Sequence, residues 1–326
     1  VCVTDFIQGM LMLIGILAVP LFAYHFLTSG GTTLAAGLEA SGADSTNFLN
    51  LMKNGDGSNN IINVISGLGW GLGYFGMPHI LVRFMAVRDE KEMTKSKATA
   101  IGWVALSLSF AAFIGVLGRA YLPELINGNN EKVFIEMIKK VFTVEIPAPF
   151  IAGLFLCGIL AAIMSTADSQ LLVSASSVAE DIFKGLIRKD ADDKTVMNVS
   201  RATVLAVALL AYIIAWNPNN TVMGLVSNAW AGLGAAFGPL VVMSLYWKRT
   251  NFPGAVAGIV TGALTVVIWD YIPLMGGQTL GKATGLYSLV VGFALGLIAI
   301  VAVSLATKAP SEEMLQEFED VKANRL

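Results

Sequence analysis

Along most of the chain apolar residues run on without interruption instead of alternating with polar ones. Eight stretches, roughly 6–28, 61–87, 98–121, 148–183, 196–216, 221–247, 254–275 and 284–307, are long enough to cross a hydrocarbon core of about 30 Å as helices of about 20 residues. Polar connections separate them, notably 29–60, 88–97 and 184–195, and a polar tail follows from Lys308. The pattern predicts an all-α polytopic membrane protein with about eight transmembrane helices. One connection is itself patterned. In EKVFIEMIKKVF (131–142), Val133, Phe134, Met137, Ile138 and Val141 share one helix face. They read as an amphipathic helix at the outer surface, either bound to lipid or, more ordinarily, capping the protein.

Composition changes the picture little and excludes much. Of 326 residues 55% are apolar, Gly adds 33 more, and only 13% are charged, about half the ~25% of a soluble domain. Mean hydropathy is +0.69. A soluble fold of this size has too little interior for so much apolar surface. The net charge of −2 gives no basic footprint for nucleic acid. Two cysteines, Cys2 and Cys157, and two histidines, His25 and His79, make neither a disulfide framework nor a metal site. No nucleophile–base pair stands out, so neither an enzyme nor a bound cofactor is expected. The chain opens Val1-Cys2-Val3 with no initiator Met and no signal peptide, and residues are expected upstream of it.

Lys and Arg set the topology. Fourteen of the 21 lie in connections on one side (88–97, 184–201, 248–249 and the tail), and Lys53, Lys132, Lys139, Lys140 and Lys282 on the other. Arg83 and Arg119 fall within spans, where long side chains snorkel to a surface. The bias alternates loop by loop. It predicts that the first residues and the C-terminal tail are cytoplasmic, in a multi-pass protein of the cell membrane.

Two spans carry more than lipid-facing residues. The second reads SGLGWGLGYFGMPH, with Gly67, Gly69, Gly71, Gly73 and Gly76 in ten residues and then Pro78. Each interior Gly costs about 1 kcal/mol of helix relative to Ala, and Pro removes a donor. This predicts a helix broken at mid-bilayer, where transporters place substrate; close packing through Gly69-x-x-x-Gly73 is the competing account. In the fourth span Ala162, Ser165, Thr166 and Ser169 follow i, i+3, i+4, i+7 spacing, with Asp168 at the edge of that face. The Ala162 carbonyl and two hydroxyls converge as oxygen ligands for Na⁺, although such hydroxyls also bond back to i−4 carbonyls. An intramembrane carboxylate such as Asp168 is costly and points to function.

Three motifs, GWGLGYFGMPHILVRFMA (69–86), LAAIMSTADSQLLVSASSVAEDIFK (160–184) and GLVSNAWAGLGAAFGPLVV (224–242), resemble the sodium:solute symporter family, most closely its sodium/proline branch. The resemblance covers essentially the whole chain. It implies an inverted-repeat, five-plus-five-helix transporter fold, N-terminally incomplete. Residues 1–28 would be the last helix of the first repeat, 61–247 the second repeat, 254–307 the closing helices and 308–326 the tail, all in one transmembrane domain. It further implies that Trp70, Tyr74 and Pro78 contact the solute, and that Ala162, Ser165 and Thr166 bind Na⁺ together with helices missing from this chain. By comparison with related sialic-acid transporters, Asp5, Asp168 and Ser169 would form a second cation site, Asp168 standing where those relatives have a hydroxyl. Two carboxylates at one depth do not both ionise cheaply unless a cation lies between them, so H⁺ would compete with Na⁺ there. The implied activity is Na⁺-coupled uptake of a small solute, L-proline, across a lipid bilayer. Another amino acid, a carboxylate, or a membrane sensor on the same fold stay open as alternatives.

Other residues have plainer readings. Asp5-x-x-Gln8 has capping-box spacing. Trp216, Trp230, Trp247 and Trp269 read as interfacial anchors or packing. Glu180 and Asp181 suit pairing with Lys184 and Arg188.

Overall fold

The computed structural model describes residues 2–127, 130–217 and 221–323. Val1, residues 128–129 and 218–220, and the last three residues, including Arg325 of the tail, lie outside the described residues. In chain order the helices are α1 (Cys2–Ser29), α2 (Leu34–Ala40), α3 (Ser45–Phe48), α4 (Ile61–Gly73), α5 (Pro78–Met85), α6 (Glu90–Tyr121) and α7 (Val133–Lys139). There follow α8 (Pro149–Ser176), α9 (Asp193–Ala215), α10 (Val222–Tyr246), α11 (Phe252–Tyr271), α12 (Leu280–Thr284), α13 (Ser288–Ala306) and α14 (Glu312–Lys322). A two-stranded antiparallel ribbon, β1 (Pro273–Met275) and β2 (Gln278–Thr279), links α11 to α12.

Among the described residues seven helices are long and apolar enough to cross a membrane: α1, α6, α8 with its continuation to Ile187, α9, α10, α11 and α13. The protein is an all-α, multi-pass membrane protein. The eighth apolar stretch, 61–87, is not one helix. It comprises α4, a 3₁₀ turn over Tyr74–Gly76 and α5, which Pro78 opens. The helices start where the sequence supplies an acceptor. Asp89 takes the Glu92 amide at 2.8 Å, Thr221 the Gly224 amide at 3.0 Å and Asn251 the Gly254 amide at 3.0 Å, each satisfying a first-turn donor.

The chain forms two compact units, each built from two separate segments. The first comprises residues 1–50 and 87–218. Here α1 packs between α6 and α8, and α7 closes one end. Val19, Leu117, Leu122, Met137, Ile138, Val141, Phe142 and Phe155 form the buried core. The patterned segment 131–142 is therefore a cap whose apolar face enters the core, where α7 passes into a wide π-helical turn, Lys140–Glu145. The opposite end of the unit is open. Val3, Phe6 and Ile7 of α1, and Leu160, Ile163 and Met164 of α8, are all more than half exposed. Arg119 does not snorkel: it donates from Nε to the Ser41 hydroxyl (3.2 Å) and from Nη2 to the Ser41 carbonyl (3.3 Å), fastening the end of α2. Beyond α8 an eleven-residue π-helix, Ser177–Ile187, continues the same axis. Its Lys184 pairs with Glu180 at 3.9 Å and with Asp193 at 3.6 Å.

The second unit comprises residues 51–86 and 219–326. Its centre is the three-helix packing of α10, α11 and α13. Gly254, Gly258 and Gly262 recur every four residues along α11 and abut Ser304 and Ile300 of α13 and the Ala235 backbone of α10. Small residues let these backbones approach where lipid supplies no hydrophobic drive. Asn251 ties the far end, donating to the Thr307 hydroxyl (2.7 Å) and the Lys308 carbonyl (2.6 Å). Helix α4 and the turn after it lie against α10 and α13.

Candidate functional site

In the second unit the break in the 61–87 stretch is built from its glycines. Gly76 lies so close to α10 that a Cβ there would sit 2.5 Å from the Leu233 carbonyl and 2.8 Å from the Gly234 Cα. A Cβ on Gly73 would collide with the indole of Trp230, and one on Gly69 with Val290. Gly67 and Gly71 face open space. Gly69, Gly73 and Gly76 are packing glycines, and the stretch they belong to is interrupted at Tyr74–Gly76.

Around the break stand four rings. Trp70 is half-buried, stacked on Trp230 (centroids 5.5 Å, planes 15° apart) and on Tyr287 (5.9 Å, 16°). Tyr74 is 44% exposed and meets Trp230 edge to face at 4.9 Å. Aromatic pairs in this range add about 0.5–1.5 kcal/mol beyond area burial. The Trp230 indole N–H donates to the Trp70 carbonyl at 3.0 Å. Tyr287 donates its hydroxyl to the Ser227 carbonyl (2.7 Å) and its amide to Ser66 Oγ (3.0 Å). Pro78 is exposed at the start of α5. Of the two sequence readings of Trp230, packing is the one that describes it, with a hydrogen bond added; Tyr287 was not singled out from sequence. The glycine-rich run around Trp230, AWAGLGAAFG, was the signal available.

In the first unit Ala162, Ser165, Thr166, Asp168 and Ser169 lie on two turns of α8 at the open end. The Thr166 hydroxyl donates to the Ala162 carbonyl at 3.2 Å and that of Ser169 to the Ser165 carbonyl at 3.1 Å. These are the i−4 bonds that hydroxyls in membrane helices make. They also bring the Thr166 oxygen beside the Ala162 carbonyl. Ser165 is half-buried and its hydroxyl makes no hydrogen bond among the described residues.

The facing helix supplies further oxygens. Helices α1 and α8 run antiparallel, with the Cβ position of Gly158 3.4 Å from Leu11 and that of Gly15 3.3 Å from Phe155. Counting back along this pair sets Gln8 level with Ala161 and Ala162, and Asp5 level with Met164 and Ser165. An apolar cavity of about 220 Å³, lined by Leu11, Met12, Phe155, Gly158 and Ala162, lies next along the pair. Asp5 Oδ1 and Gln8 Oε1 are both buried without a hydrogen-bond partner. Asp5 is inside the helix, which already runs at Cys2, so it does not cap that helix. A carboxylate and an amide oxygen short of donors are oxygen ligands of the kind a hard cation takes. Asp168 is instead exposed and makes no hydrogen bond or ion pair among the described residues.

A family model, the sodium:solute symporter family, matches residues 1–262. The chain belongs to the sodium:solute symporter family. Among curated members it is 40% identical over 319 residues to the high-affinity proline transporter PutP of Bacillus subtilis, covering 97% of this chain and 63% of the relative. It is 40% identical to the sodium/proline symporter of Escherichia coli (98% and 61% covered) and 42% identical to that of Staphylococcus aureus (95% and 59%). The chain thus spans about three fifths of the length of the curated relatives it matches. These relatives are named as a transporter and as symporters.

Proposed function

We propose that this chain is the larger part of a secondary transporter in which Na⁺ entry drives uptake of a small zwitterionic solute, L-proline. Membership of a family whose relatives at about 40% identity are named sodium/proline symporters carries the reading. In it Trp70, Tyr74 and Pro78 contact the solute, and Ala162, Ser165 and Thr166 ligate Na⁺. Asp5, Asp168 and Ser169 form a second cation site, to which Gln8 belongs by its buried, donorless oxygen. Na⁺ is the coupling ion, and no cofactor takes part. Coupling follows from linkage: Na⁺ raises affinity for the solute by the factor by which the solute raises affinity for Na⁺.

The fold in this proposal is the five-plus-five inverted repeat, with 1–28 ending the first repeat, 61–247 forming the second and 254–307 closing it in a single transmembrane domain. The interrupted stretch counts as the eighth membrane crossing. Helices upstream of Val1 complete the sodium shell and cover the open end of the first unit, whose exposed Val3, Phe6 and Ile7 suit such packing. The first residues and the tail are cytoplasmic and the protein sits in the cell membrane. Symport of another amino acid or a carboxylate, or sensing by the same fold, are the rival readings. Uptake of radiolabelled proline into proteoliposomes by the full-length transporter carrying this chain, with and without a Na⁺ gradient, decides among them. Gradient-dependent accumulation of proline is expected. Accumulation of a different solute replaces the substrate, and no accumulation of any solute rejects transport.

A further inference from the structure

We propose that Trp230 is a positioning residue of the solute site: its indole N–H holds the Trp70 carbonyl and its ring sets the planes of Trp70 and Tyr74. The inference rests on the reading that Trp70 and Tyr74 contact the solute. The four carbonyls that end an α-helix lack i+4 partners; with Tyr74 as the C-cap of α4 these are Gly71 to Tyr74, and the Trp70 carbonyl stands directly before them. Hydrocarbon offers no substitute donor, so backbone can break at membrane depth only where protein supplies one. Beside this break the indole of Trp230, 160 residues away in the chain, donates to the Trp70 carbonyl at 3.0 Å. Its approach depends on Gly73, where a Cβ would occupy the place of Nε1 and Cδ1.

One side chain therefore touches both solute-facing rings, by a stack at 5.5 Å and an edge contact at 4.9 Å. It is itself held in place. Tyr287 covers Trp70 at 5.9 Å and donates to the Ser227 carbonyl, three residues before Trp230 on α10.

The test uses the full-length transporter carrying this chain, reconstituted in proteoliposomes. Trp230 is replaced by β-(3-benzothienyl)alanine, which keeps the bicyclic ring and removes the N–H, and in parallel by Phe. The expected result is a solute KM raised about five- to tenfold, with Vmax per folded transporter and half-saturating Na⁺ both within about twofold. Competition by the smaller- and larger-ring analogues azetidine-2-carboxylate and pipecolate should also weaken unequally. An unchanged KM, or a fall in Vmax at constant KM, overturns the proposal, since a structural role alone removes working molecules without altering those that remain. If either variant fails to reach the membrane, Gly73→Ala displaces the same N–H with residue 230 intact and is read by the same criteria. Trp70→Ala and Tyr74→Ala run alongside. Should these leave KM unchanged, the solute site itself is misplaced; should they raise it while the Trp230 variants do not, only the role of Trp230 falls.

Discussion

At the scale of single residues, the four rings and the oxygens of α8 make different demands on substitution. Trp70 stacks on two neighbours and is half-buried, whereas Tyr74 is 44% exposed and touches one ring. Truncating either should weaken apparent solute affinity by about 1–3 kcal/mol, the cost of removing an aromatic anchor. Trp70→Ala should in addition lower the melting temperature, because it strips two stacks. Paired solute titrations and thermal melts read the two effects separately; equal melting temperatures in the two variants contradict the packing described. On α8, Ser165→Ala should raise the Na⁺ concentration for half-maximal uptake more than Ser165→Thr, which keeps the oxygen. A lost ligand is worth roughly 1–3 kcal/mol, by analogy with a buried group left unpaired. Identical Na⁺ activation curves for the two variants would remove Ser165 from the sodium shell. On α8 the hydroxyls and the carboxylate stood out in the sequence against an apolar span, whereas Trp70 and Tyr74 were marked by resemblance to the family. Their partners were not, since nothing local joins Trp70 to Trp230 or Asp5 to the level of Ser165.

At the scale of elements, the apolar runs marked the helices well and their interruptions less well. The run 254–275 contains the end of α11 and the start of the short ribbon, and 61–87 contains two helices and a 3₁₀ turn. Hydropathy averages over such breaks, whereas glycine and proline chemistry locates them. Glycine alone, however, does not say which face packs. Gly76→Ala should be the most damaging change in the stretch, because its Cβ meets α10 backbone that cannot rotate aside; overpacking of this kind costs about 1–3 kcal/mol or more. Gly67→Ala and Gly71→Ala should be tolerated, even stabilising α4 by up to about 1 kcal/mol, since nothing lies within 4 Å of either Cβ position. Fluorescence-detected size exclusion after heating ranks all three, and the reverse order would show that α4 presents another face. The same reasoning makes Gly262→Ala disruptive at the Ala235 backbone of α10.

At the scale of the whole molecule, two compact units each take two separate stretches of chain, and no hydrophobic pattern announces that 51–86 belongs with 219–326. That assignment needs contacts between residues far apart in sequence, which periodicity does not carry. The proposed sodium ligands all fall in the first unit and the proposed solute contacts in the second. Na⁺ added without solute should therefore slow amide hydrogen exchange chiefly around residues 3–12 and 160–170. Proline added with Na⁺ should extend the protection to 66–78 and 226–234. Protection by Na⁺ that begins in the second unit would be inconsistent with the proposed ligands.

The bond between Trp230 and the Trp70 carbonyl also has a consequence for biogenesis. At about 5–20 residues per second, the ribosome completes the broken stretch roughly 8–30 s before the indole 160 residues downstream exists. For that interval the nascent chain holds an interrupted helix whose Trp70 carbonyl has no indole to meet, in or beside the membrane. The insertion machinery must shelter it, or leave it at the water interface until α10 arrives. Chains halted before Val222 should accordingly remain associated with the translocon and become substrates for membrane proteases, while chains released after Tyr246 should not.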